Sequence, residues 1–299
     1  MNYWLFRAAG FLSRIVPRRA AYAIARLLVG PFLLIKHREA RAVAANLQRL
    51  RAFRGEPADA ATARRLARRV YVNFAKYIVD YYRYAGGHDE ELAALMEVDN
   101  IQALSRGLAL GRGVVVVTAH LGNIENGGMT IVRHGYKFTV VALRQADPRI
   151  NELFQRQRRA RGMQVIEAGH GARDCLRTLQ RNEIVAVVGD RDFSPNRDTT
   201  RFFGAPARIP VGFARLALAT GAPVVPGFCV RLPDDRYRLF FYDPVFVDRE
   251  RDTVESVCQR VVPFLERAIG DHADQWYCFH DLWNVEADWA LMQRVMGRR

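Results

Sequence analysis

The 299-residue sequence predicts an α/β fold, a single domain with a mostly parallel central sheet flanked by helices, plus a helical, basic N-terminal region. Three observations carry that expectation. Val114–Val117 and Ile184–Val188 are apolar runs without polar alternation, the pattern of strands buried on both faces of a parallel sheet. Each runs into a glycine-containing polar stretch, and segments with helical periodicity separate the strands. No internal repeat, low-complexity tract or clear linker divides the chain.

Residues 3–35 mix Tyr3, Trp4, Leu5, Phe6, Phe11 and Leu12 with Arg7, Arg14, Arg18 and Arg19, then end on apolar Pro31–Ile35. Aromatic and aliphatic side chains interleaved with arginine suit a helix lying in lipid headgroups, and residues 1–35 are read as an amphipathic membrane-interface segment. The alternative is an amphipathic helix packed on the domain with its arginines snorkelling. The longest uncharged run here, Leu27–Ile35, falls far short of the roughly 20 residues a membrane span needs, so no transmembrane helix is expected. No cleavable signal peptide is expected either.

Residues 38–52 and 60–84 have helical patterns; in the second, Leu66, Val70, Phe74, Tyr77, Ile78 and Tyr81 recur three to four apart, opposite Arg64, Arg65, Arg68 and Arg69. Gly86-Gly87 ends that segment, and short helices at Glu90–Leu95 and Ile101–Leu110 lead into the valine strand. A helix from Glu125 to about His134 and a strand at Phe138–Leu143 follow. Next come an arginine-rich helix, Pro148–Arg161, a strand at Gln164–Ile166 and a helix at Ala172–Gln180. Beyond the Ile184 strand, the helix Val211–Thr220 is closed by Gly221, and the strand Pro223–Arg231 has a hairpin partner at Arg238–Tyr242. A helix over 252–269 and a last one from Ala287 complete the order.

The formal charge is +14, and the first 84 residues carry 17 Lys and Arg against Glu39, Glu56, Asp59 and Asp80. A field so concentrated points to an anionic partner, either nucleic acid or an anionic membrane. No zinc-finger, RNP-type or basic-zipper signature supports nucleic acid. Cys175, Cys229, Cys258 and Cys278 lack metal-ligand spacing and are expected as reduced core thiols of a cytoplasmic protein, with no metal site.

The chemistry concentrates at strand ends, where α/β sheets place their ligands. His120 and Glu125 follow the valine strand. On one helix they would sit roughly 140° apart, so His120 belongs in the turn and Glu125 in the first turn of a helix capped by Asn123. The carboxylate would then fix the imidazole tautomer and stabilise the imidazolium, while free amides at the helix start support an oxyanion. Gly122, Gly127 and Gly128 are expected to let backbone approach a bound group. Asp190, Arg191 and Asp192 follow the second buried strand, and Arg144 follows the strand at 138–143.

Three blocks resemble the bacterial lysophospholipid acyltransferase superfamily, in its branch of lipid A late acyltransferases and mannoside acyltransferases. They are His120-X4-Glu125 after Thr-Ala; Gly189-Asp-Arg-Asp-Phe with Phe202-Phe-Gly and Phe213-Ala-Arg-Leu-Ala-Leu-Ala-Thr-Gly-Ala-Pro-Val-Val-Pro; and the Gln275-Trp-Tyr-Cys-Phe-His-Asp-Leu-Trp tail. The resemblance spans about residues 36–284. Asp281-Leu282-Trp283 stands where lipid A acylating members usually have basic residues, and a spanning N-terminal helix is missing; both weigh against a lipid A acceptor.

The resemblance implies a membrane-associated acyltransferase domain at 36–299, moving a fatty acyl chain from acyl carrier protein or coenzyme A to a lipid or glycolipid hydroxyl. His120 would be general base oriented by Glu125, and Asn123, Arg144, Asp190, Arg191, Asp192, Phe203 and Gly204 would bind substrate. No GxSxG elbow or placed cysteine indicates an acyl-enzyme, so direct attack on the thioester is expected. No cofactor beyond the thioester co-substrate is implied. The partners are the acyl carrier or acyl-CoA, the lipid acceptor and an anionic membrane surface, not nucleic acid. The expected location is the cytoplasmic face of a bacterial inner membrane, peripheral or monotopic. The alternative is a noncatalytic lipid-binding member of the fold.

Overall fold

The computed structural model describes residues 15–84, 88–145, 147–169, 171–192 and 199–284. Helices α1 (Arg18–Ile35), α2 (His37–Phe53), α3 (Ala60–Tyr84) and α4 (Asp89–Ala94) precede the sheet. Then come β1 (Met96–Asp99), α5 (Gln102–Leu108), β2 (Val114–Thr118), α6 (Ile124–Arg133), β3 (Phe138–Ala142), α7 (Pro148–Ala160), β4 (Gln164–Glu167), α8 (Ala172–Gln180) and β5 (Ile184–Val188). The chain continues through β6 (Thr200–Phe202), β7 (Ala205–Ala207), α9 (Gly212–Thr220), β8 (Val224–Arg231), β9 (Tyr237–Phe241), α10 (Val254–Asp271) and a 3-10 turn, Ala273–Gln275.

Seven strands form one sheet in the order β1-β9-β8-β2-β5-β3-β4. All neighbours pair in parallel except the hairpin β8–β9, so β1 and β9 oppose the other five. The valines of β2 explain its central place. Val115 and Val117 enter one buried cluster with α8, α9 and α10, while Val114 and Val116 enter another with α4, α5 and α6. A strand with both faces covered has no use for alternation.

Nearly every expected helix and strand is present with its ends within a few residues. Two features differ. Met96–Asp99 is a strand, not a link between short helices: it pairs with β9, and Asp99 and Glu97 bind Arg238 and Arg236. Met-Glu-Val-Asp does alternate apolar and polar, but four residues are too short a run to mark a strand by themselves; the pairing partner makes it one. Residues 200–207 form a small antiparallel hairpin, β6–β7. The expected helix from Ala287 and the aromatic stretch Tyr3–Leu12 lie outside the described residues.

Helices α1–α3 add a third layer, in which Val29, Val43, Leu47, Val70 and Tyr71 pack with Tyr277. This layer is pinned by a buried polar cluster. Asp80 of α3 accepts from Tyr22 of α1, Tyr237 of β9 and Arg231 of β8, and Arg231 Nη1 also donates to Tyr22 at 2.9 Å. Asp80 is fully buried and surrounded by donors, as a buried charge requires. The outer face of α1 stays apolar: Leu27, Leu34 and Ile35 are at least 76% exposed. No single described helix is long and apolar enough to cross a membrane, although α1 and α2 pass that test as a pair bent by 100°. All four cysteines are buried thiols.

Candidate active site

Strand register builds the site. In the β2–β5 ladder Thr118 stands beside Val188, so positions two residues beyond each strand, His120 and Asp190, emerge side by side. Asp190 Oδ1 lies 2.7 Å from His120 Nδ1 and accepts from the His120 amide at 3.1 Å; Oδ2 accepts from Trp276 Nε1 at 2.9 Å. Burial alone would raise the Asp190 carboxyl, but His120, Arg191 and the Trp276 N–H hold it well below the usual carboxylate range. As an ionised acceptor it takes a hydrogen bond from the Nδ1–H group. Arg191 Nε, 3.1 Å from the same nitrogen, is therefore a neighbouring cation and not a donor to it. Nε2 is left with its lone pair. Burial, with Arg191 adding, pushes the His120 pKa down against the pull of Asp190, so the ring is neutral at pH 7.

Backbone contacts fix the turn around His120. Its carbonyl accepts from Tyr277 N at 2.8 Å, Gly122 N donates to Gln275 O at 3.0 Å, and Asn123 N donates to Cys229 O at 2.7 Å. Gly122 has φ 62°, and a Cβ there would stand 2.1 Å from Cys229 O, so glycine is required. The close approach it permits is to β8, not to a ligand; Gly127 and Gly128 likewise face Cys229 and Met163. Asn123 caps α6 as expected, accepting from Asn126 N at 3.0 Å. The Ile124 and Glu125 amides have no hydrogen-bond partner among the described residues.

Glu125 does not orient His120. It lies in the first turn of α6, but its carboxylate is buried against Arg158 of α7, which donates through Nη2 at 2.6 Å and Nε at 3.0 Å. No hydrogen bond joins it to His120 among the described residues. Burial would lower the Arg158 guanidinium, and the Glu125 carboxylate beside it raises it instead, so the guanidinium stays charged.

The other expected binding residues divide. Arg191 reaches the site. Asp192 anchors its own backbone, donating to Arg208 O at 3.3 Å. Arg144 is exposed two residues beyond β3, with no hydrogen bond or ion pair to His120 or Asp190 among the described residues. Phe203 and Gly204 form the β6–β7 turn, where Phe203 has φ 45° and is buried. Phe202 and Phe203 pack on Trp276 and Trp283, around the indole that donates to Asp190. Burial, with the Arg191 charge beyond it, pushes the buried His280 of the tail down to about 4.

A cavity of about 210 Å³ opens at His120 and Arg191. Leu121, Gly122 and Ile124 line one part; Phe74 and Tyr77 of α3 with Tyr277 and Phe279 of the tail line the rest. This aromatic wall and the Trp276 donor were not among the residues the sequence marked as a site, although Tyr277 and Phe279 stand in the tail block. The signal available was that block's density of aromatic side chains.

The sequence profile of bacterial lipid A biosynthesis acyltransferases matches residues 1–285. The chain belongs to that family. It is an acyltransferase, and its three motif blocks meet at one strand-end site. The chain is similar to the phosphatidylinositol mannoside acyltransferase of Mycobacterium tuberculosis (strain CDC 1551 / Oshkosh), 26% identical over 233 residues, covering 76% of this chain and 72% of the relative. The protein of the same name from Mycolicibacterium smegmatis is 25% identical over 222 residues, covering 73% and 72%.

The Glu125–Arg158 geometry makes a stability prediction. Glu125→Ala leaves a largely buried guanidinium unpaired and should cost about 3–5 kcal/mol in urea unfolding. Replacing both partners, Glu125→Gln with Arg158→Met, should recover most of it. Equal losses in the single and double variants would show that the pair is not what stabilises this contact.

Proposed function

We propose that this acyltransferase moves a fatty acyl chain from an acyl thioester, carried by acyl carrier protein or coenzyme A, to a hydroxyl of a membrane lipid or glycolipid. The observation that carries the reading is the His120–Asp190 hydrogen bond at the mouth of an apolar cavity. With Nδ1 donating to Asp190, Nε2 accepts the proton of the acceptor hydroxyl as its oxygen attacks the thioester carbonyl. The imidazolium that forms lies against the Asp190 carboxylate. The oxyanion of the tetrahedral intermediate draws on the Arg191 charge and the free amide of Ile124. On collapse the C–S bond breaks and the proton passes from Nε2 to the leaving thiolate. The names of the mannoside acyltransferase relatives favour a glycolipid hydroxyl as acceptor.

The acyltransferase acts at the cytoplasmic face of a bacterial inner membrane, attached peripherally. Support comes from α1, whose exposed Leu27, Leu34 and Ile35 lie near Arg26, Lys36 and Arg38. Apolar side chains entering the headgroup boundary beside cations bind anionic lipid.

Purified enzyme, labelled acyl thioester and a total lipid extract test the reaction. His120→Ala should abolish product, and Asp190→Asn should lower kcat about 10²–10⁴-fold with the fold intact; a near wild-type rate for His120→Ala contradicts the mechanism. The pH profile follows from the depressed His120 pKa. The base stays competent as pH falls through 6.5, the ordinary histidine value, and is lost only below it. Arg191→Gln removes one lowering influence, so the acid limb of kcat/KM should move to higher pH. A limb that stays in place would detach Arg191 from the base.

Attachment is read by vesicle sedimentation with anionic liposomes. Changing Leu27, Leu34 and Ile35 together to Glu should reduce partitioning about 100-fold or more. Unchanged partitioning would contradict attachment through α1.

A further inference from the structure

Asp190 is fully buried, and the donors around it divide unequally between its two oxygens. Oδ1 accepts twice, from the His120 amide at 3.1 Å and from the Nδ1–H group at 2.7 Å. Oδ2 accepts once among the described residues, from Trp276 Nε1 at 2.9 Å. Without that donor a buried carboxylate oxygen would have no partner. The carboxylate could then turn about its Cβ–Cγ bond, a torsion with broad minima, and carry Oδ1 away from the ring. An indole N–H donates and cannot accept, so it braces the carboxylate without entering proton exchange.

The tail aims this group by its backbone. Leu121 and Trp276 form an antiparallel bridge, in which Gly122 N donates to Gln275 O at 3.0 Å and Tyr277 N donates to His120 O at 2.8 Å. The two neighbours of Trp276 are thus bonded to the two neighbours of Leu121, one of which is His120 itself. Either side of the bridge is anchored. The Gln275 side chain exchanges two bonds of 2.7 Å with the Arg231 backbone, and the buried Asn46 side chain donates to His280 O at 2.7 Å and accepts from Leu282 N at 3.2 Å. Trp276 is itself 1% exposed, with the rings of Phe202, Phe203 and Trp283 at centroid distances of 6.1 to 6.4 Å. We propose that Trp276 is a positioning residue for the base: its indole N–H locks Asp190 in the orientation that presents Oδ1 to His120 Nδ1, so the site is complete only with the tail strapped across the His120 turn. The inference rests on the acyl-transfer reading for what the base acts on, but the orientation of the dyad is a property of the resting enzyme.

The donor can be removed while the bicyclic ring stays. Benzothienylalanine incorporated at position 276 puts sulfur where Nε1–H stands and keeps the shape of the side chain. In that enzyme the His120 ring should lose its single tautomer, its ¹⁵N signals showing the proton shared between Nδ1 and Nε2. Its kcat should fall about 10–100-fold with KM little changed, the effect of losing one hydrogen bond to a charged group. A second measurement needs no change at 276. The chain has four tryptophans, and the indole N–H signal missing from Trp276→Phe identifies this one. That signal should shift when Asp190 is changed to Asn and stay in place when Glu125 is changed to Gln. A benzothienyl enzyme with wild-type kcat and an intact Nδ1–H tautomer would show that the ring packs without positioning, and would overturn the assignment. So would an indole signal that ignores Asp190→Asn. Loss of the tautomer in the benzothienyl enzyme, with no acyl transfer by the wild type to any lipid, would keep the role of Trp276 and refute the proposed reaction.

Discussion

The hydrogen bond between His120 Nδ1 and Asp190 depends on a pairing register, and the rest of the site depends on that bond. Because Thr118 pairs with Val188 in a parallel ladder, two turns 70 residues apart present their side chains at one height. A slip of one residue would turn every β2 side chain to the opposite face and separate the pair. The alternating valines resist it, since Val115 and Val117 fill one core while Val114 and Val116 fill the other. Hydrophobic packing thus holds the imidazole and the carboxylate within hydrogen-bond distance.

Holding Asp190 ionised and fully buried needs donors, and they come from far along the chain. The Trp276 indole supplies one; the Phe202–Phe203 turn and Trp283 hold the indole in place. The tail is itself tied down. Gln275 exchanges two hydrogen bonds of 2.7 Å with the Arg231 backbone, and Asn46 of α2 donates to the carbonyls of Cys278 and His280. The N-terminal helices, the far end of β8 and the C-terminal tail all converge on one carboxylate. This explains why three motif blocks so distant in sequence belong to one site.

Much of this was legible in the residues. Unbroken apolar runs marked β2 and β5, and the charges at their ends marked His120, Asp190 and Arg191 as chemistry. What was not legible was which carboxylate belongs to which base. Glu125 is close in sequence, and its expected place in the first turn of α6 is where the structure puts it. Its partner, Arg158, was read only as part of an arginine-rich helix, and nothing local reveals that α7 turns that side chain inward. The sequence sets Asp190 beside the substrate and not beside His120, because non-local strand pairing is invisible in a single sequence. The resemblance block places Phe203 among the substrate-binding residues, and the fold buries it against Trp276. The alternation of β1, Met-Glu-Val-Asp, is too short to stand out, and its pairing with β9 makes it a strand only in the fold.

The central claim is that Asp190, not Glu125, orients the base and leaves Nε2 free to take a proton. It is tested most directly by ¹⁵N NMR of the His120 ring at neutral pH in enzyme labelled at histidine. The account predicts a protonated Nδ1 and a bare Nε2 in the wild type, retained when Glu125 is changed to Gln and lost when Asp190 is changed to Asn. A proton on Nε2 in the wild type, or a tautomer that responds to Glu125 and not to Asp190, would contradict it.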